Sequence, residues 1–126
     1  MSRNRSDLVI VMNQASSVLL QEKGFISFVD ILISVGILTK EDYERWRFGK
    51  VPCLEAVVSV NLAKLNFLLR TLHQNSLNGN LRPSPTAYMS WGKGKKRPLR
   101  FSKSGDVNLE KAYSTHYVQK NRQENA

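Results

Sequence analysis

The sequence predicts a mainly α domain, compact around one long helix at about residues 52–75, with a β-hairpin at about 86–103 in its C-terminal half. Three observations lead there. Apolar residues recur at intervals of three and four through most of the first 75 positions. Past residue 85 the period changes to two. Cap-forming residues and glycines cut the first half into short segments. At 126 residues the chain is of single-domain size, assigned here to 1–118, with a polar tail at 119–126 expected to be disordered.

Residues 1–5 form a polar, basic leader expected to fray. Ser6 is placed as the cap of the first helix, with Asp7 in the first turn where the helix dipole favours a negative charge. Leu8, Val11, Met12, Ala15, Val18 and Leu19 follow at helical spacing until Gly24. Ser27 with Asp30, and Thr39 with Asp42, resemble capping boxes that open two short helices, ended near Gly36 and Gly49.

These two could form a helix-turn-helix, but Glu41, Asp42 and Glu44 would repel the phosphates that a recognition helix must approach. A core-forming corner is the better reading. Pro52 suits the first turn of the long helix, and Leu54, Val58, Leu62, Leu65, Leu69 and Leu72 line one of its faces. Trp46, Leu62, Leu65 and Leu69 are therefore expected in the core. After the turn at 75–80, Met89 and Trp91 alternate along one strand and Leu99 and Phe101 along the next. Pairing Trp91 with Leu99 and Met89 with Phe101 gathers the large apolar groups on one face, puts Tyr88 and Arg100 outside, and leaves 92–98 as the loop. Asp106 caps a last helix containing Leu109, Ala112, Tyr113 and His116.

Charge gives the functional lean. The net charge is +9, and it lies wholly in the second half, because residues 1–60 are balanced. No acidic residue occurs between Glu55 and Asp106. A basic segment with interleaved aromatic residues suits a polyanion, so nucleic acid, RNA or DNA, is the expected partner. The expected contact residues are Arg82, Tyr88, Lys93, Lys95, Lys96, Arg97, Arg100 and Lys103. Exposed aromatic and Arg groups favour RNA or single strands over sequence-specific duplex binding. The competing class is a protein-interaction module whose basic hairpin docks an acidic partner protein.

Enzymatic chemistry has little footing. Cys53 and His73 would lie about 30 Å apart on one helix, too far for a dyad. The nuclease alternative, using His116, Tyr113 and Arg100 without metal, rests on residue types alone. One cysteine and two isolated histidines supply no close metal-ligand pair, and no cofactor motif occurs, because the glycines at 92 and 94 lack the Walker A spacing. A single cysteine precludes an intrachain disulfide and fits a cytoplasmic setting. The apolar run at 8–12 is too short for a membrane span and lacks a signal-peptide cleavage pattern, so no membrane partner is expected. Composition leaves the oligomeric state open.

Overall fold

The computed structural model describes residues 4–120. Positions 121–126 of the expected tail, and the first three residues of the leader, lie outside the described residues. Five α-helices, one 3-10 turn and a small antiparallel sheet make up the fold among the described residues.

Helix α1 (Arg5–Lys23) is capped two residues before the expected position, because the Asn4 side chain accepts from the Asp7 N–H at 2.8 Å. It ends at Gly24 in the left-handed region. Both caps form where the sequence places them. Ser27 Oγ accepts from Asp30 N to open α2 (Phe28–Ser34), and Thr39 Oγ1 accepts from Asp42 N to open α3 (Lys40–Arg47), each at 3.0 Å.

The long helix is shorter than its apolar pattern suggests. Helix α4 spans Leu62–Asn78, about 25 Å, and Asn61 caps it by accepting from Lys64 N at 2.8 Å. Residues 52–61, read from the sequence as its first turns, instead hold a 3-10 turn at Leu54–Ala56. Tertiary pairing explains the change. Leu54 N and Glu55 N donate to the carbonyls of Arg100 and Phe101 at 3.2 and 2.9 Å, and Ser59 N donates to Ile37 O at 3.0 Å. With those donors satisfied across the fold, a Val-rich stretch of low helix propensity has no reason to wind. Leu62 consequently sits in the first turn and is 42% exposed, whereas Leu65, Leu69 and Trp46 are buried as expected.

The sheet has strand order β1 (Phe25–Ser27), β3 (His116–Val118), β2 (Arg82–Ser84), all antiparallel. Its centre is a segment expected to be helical up to His116. Helix α5 (Val107–Ser114) stops at Thr115, and His116 then pairs with both Ser27 and Ser84. Pro83 is tolerated because β2 is an edge strand. Gln119, assigned to the disordered tail, donates its N–H to Gly24 O at 3.0 Å and extends this contact.

A single hydrophobic cluster joins these elements, built from Leu8 and Met12 of α1, Phe28, Ile31 and Leu32 of α2, and Leu65, Leu68 and Leu72 of α4. Trp46, Phe101, Tyr113 and Tyr117 complete it. Burying each large side chain contributes roughly 1.5–3 kcal/mol.

The predicted hairpin forms as a single bridge, Met89 to Pro98, flanked by Ser90 N to Arg97 O and Leu99 N to Tyr88 O, both 2.8 Å. Its register differs by three from the expected one. An odd slip exchanges the two faces, so Tyr88 turns inward, its ring 5.6 Å from Trp46 and 5.3 Å from Phe101. Trp91 has left the ladder. Its N–H donates to Arg47 O at 2.7 Å, which ties the hairpin to the end of α3.

Candidate nucleic-acid interface

The basic loop at 91–97 projects from the hairpin, and two carboxylates, one buried and one half-buried, hold the hairpin's return limb in place. Glu110 of α5 accepts from Phe101 N and Ser102 N at 2.9 and 2.7 Å. Glu55, only 6% exposed, accepts from Lys103 N at 2.8 Å and from the Tyr113 hydroxyl at 2.6 Å. Trp46 Nε1 donates to Arg100 O at 2.8 Å. These bonds fix backbone and leave the loop charges uncompensated. The Tyr113 hydroxyl is held well above its usual pKa, first by burial and then by its bond to Glu55.

Lys93, Lys95, Lys96 and Arg97 are all exposed. Among the described residues the ion pairs join Lys23 to Asp30 and Arg45 to Asp42, so no carboxylate meets the loop. Lys96 Nζ bonds Gly92 O at 3.1 Å, and the Arg97 guanidinium lies 3.5 Å from Gly49 O. Gly92 and Gly94 have φ of 101° and 95°, a region that side-chain-bearing residues rarely enter. The tight path that displays four cations depends on them. Behind the loop, Lys50, Arg97 and Arg100 share an open depression of about 330 Å³ with Trp46 and Pro98.

Other expected contact residues are placed differently. Tyr88 lies on the inner face, and its hydroxyl meets His116 Nε2 at 2.9 Å. Arg100 directs its guanidinium into its own loop, donating from Nε to Ser102 O at 2.8 Å and from Nη2 to Lys103 O at 2.6 Å. It shapes the turn rather than standing on an outer strand face. The Lys103 side chain is exposed beyond that turn, and Arg82 is exposed on β2, outside the hairpin.

Sequence reading missed the surroundings of the loop. Phe48, the C-cap of α3, is 48% exposed, and Trp91 is 38% exposed, their rings edge to face at 5.6 Å. Arg47 lies 4.6 Å from the Trp91 ring centre and 5.2 Å from that of Tyr88. Lys50 Nζ is 6.0 Å from the centre of Phe48. A legible signal existed: an aromatic residue between two cations, at a glycine where a helix ends.

The residues considered for nuclease chemistry have separate partners: Tyr113 bonds Glu55, Arg100 bonds backbone carbonyls, and His116 bonds Tyr88. Cys53 is buried at the start of the 3-10 turn. The acidic first turn of α3 carries Glu41 and Asp42, with Asp42 paired to Arg45 at 3.0 Å. Among the described residues no three His, Cys, Asp or Glu side chains gather as a metal-binding group, and no helix is long and apolar enough to cross a membrane.

Burial raises the Tyr88 pKa to about 12, a hydrogen bond from Ser27 opposing the shift. Burial also lowers that of His116, against the field of the Asp30 carboxylate and with that of Lys23. A base with a depressed folded pKa contributes stability that is whole above its unfolded value of about 6.5 and is lost as pH falls through the folded value. Melting temperature should therefore drop below pH about 6.5 in wild type, and His116→Asn should flatten that dependence. An unchanged pH profile in the variant would show that His116 is not the titrating group.

The fold and this surface define a class: a mainly helical domain, closed by a three-stranded antiparallel sheet, that displays an exposed basic loop beside exposed aromatic rings. Compared with family models, curated proteins and solved structures, the chain matches none.

Proposed function

We propose that the protein binds nucleic acid by laying the loop at 92–103 along a phosphate backbone, as a binding protein rather than an enzyme, acting in the cytoplasm. The observation that carries this reading is that, among the described residues, no carboxylate pairs with Lys93, Lys95, Lys96 or Arg97 on a loop held out by its anchored limbs. Four like charges so close repel one another, which disfavours the loop unless an anion or water surrounds it. A phosphate backbone supplies anions in a row, and each contact releases condensed counterions. The depression lined by Lys50, Arg97 and Arg100 continues the basic surface.

Replacing Lys93, Lys95, Lys96 and Arg97 together by alanine should weaken binding on the order of 100-fold at low salt and reduce the slope of log affinity against log salt by about 3. Thermal stability should hardly change, because exposed loop charges contribute little to the fold. Equal affinity and equal salt slope for wild type and this variant would sink the reading. Wild-type protein that ignores nucleic acid at every salt concentration, but captures an acidic protein through the same loop, would replace it with the interaction-module alternative.

A further inference from the structure

We infer that Phe48 and Trp91 form a stacking platform for an unpaired base, so that the preferred partner is single-stranded nucleic acid; this inference rests on the phosphate-binding reading of the loop. Isolated exposed apolar side chains are ordinary on protein surfaces. Here two large rings from distant parts of the chain meet at 5.6 Å, edge to face, and both stay substantially exposed. The hydrogen bond from Trp91 N to Arg47 O brings them together, and Tyr43, at a right angle 5.7 Å from Trp91, backs the indole. Trp91 acts as the rigid wall. Phe48, with more of its ring free, is the surface on which a base can lie.

The cations settle which occupant fits. Arg47 lies against the Trp91 ring, Lys50 reaches the Phe48 ring, and the Arg97 guanidinium sits beside Gly49, the neighbour of Phe48. Apolar π-faces ringed by positive charge match a nucleotide, whose base is flat and whose phosphate is anionic. An acidic protein segment would use the cations and leave the rings unused. Duplex presents only base edges, its base faces being stacked internally, so the platform could reach one only after extrusion of a nucleotide. Single strands present those faces freely. The Phe48 ring is also dispensable to the helix end, since the cap is made by backbone, Phe48 N–H donating to Glu44 O and Gly49 N–H to Trp46 O, both at 2.9 Å.

The test is fluorescence anisotropy of a labelled oligouridylate, an oligothymidylate and a blunt mixed-sequence duplex of the same length, each titrated at several salt concentrations. Phe48→Ala should weaken single-strand binding about 5- to 150-fold, with the salt slope kept and duplex binding unchanged. Phe48→Leu, which keeps bulk without a π-face, should lose nearly as much, and Phe48→Trp should retain wild-type affinity. Melting curves of all three should match wild type. Single-strand binding that survives Phe48→Ala but is lost in the quadruple loop variant would overturn the platform while leaving the phosphate contact standing. Equal losses for duplex and single strand would overturn it as well. If wild type binds none of the three probes, the phosphate-binding reading fails and the platform with it.

Discussion

Trp46→Ala is expected to remove about 3–5 kcal/mol of stability, a large share of the roughly 5–15 kcal/mol by which a domain of this size is stable. The indole is 1% exposed and touches Phe101 at 5.0 Å and Tyr88 at 5.6 Å between ring centres, so truncation opens a cavity lined by aromatic faces. A lost hydrogen bond adds to the cavity. Trp46 Nε1 donates to Arg100 O, an acceptor shared with Leu54 N, and this bond joins α3 to the hairpin's return limb. Trp46→Phe should cost clearly less, because most of the buried area remains and Leu54 N still satisfies the carbonyl. Urea denaturation followed by circular dichroism compares the three proteins, and an alanine variant that melts with wild type would contradict this account of the core.

Glu55→Ala is expected to cost about 2–5 kcal/mol, since two donors, the Tyr113 hydroxyl and the Lys103 N–H, lose a charged acceptor inside the fold. The Lys103 N–H belongs to the 101–105 turn, and Tyr113 is only 1% exposed. Glu55→Gln should be milder, because its amide oxygen can accept from Lys103 N while its NH2 faces the Tyr113 oxygen. Tyr113→Phe removes one of the donors in advance. In a double-mutant cycle, Glu55→Ala should therefore cost less in the Tyr113→Phe background than in wild type. Strict additivity would mean that the two side chains do not act together. Hydrogen exchange at the Lys103 amide gives a local check, with loss of protection expected in Glu55→Ala.

Capping boxes, helix-ending glycines and apolar periodicity are local, and they were legible in the sequence. Ser27 with Asp30, and Thr39 with Asp42, bond as their spacing implies, because a side chain three residues from its donor needs no distant help. The helical class, the burial of Trp46, Leu65 and Leu69, and the exposure of the basic loop follow from patterns of the same range. Tertiary contacts decided the remainder. The sequence alone could not place residues 52–61 outside the long helix, since the carbonyls that hold them belong to Arg100 and Phe101. Nor could it turn Tyr88 inward, because the hairpin register depends on Trp91 bonding to α3 and on Glu55 and Glu110 gripping the return limb. His116 to Val118 becomes the central strand only where β1 and β2 flank it. Phe48 meets Trp91 for the same reason. Local stretches carry their own hydrogen-bonding and periodic preferences, but strand register and the meeting of distant side chains are set by which partners the folded chain brings within reach.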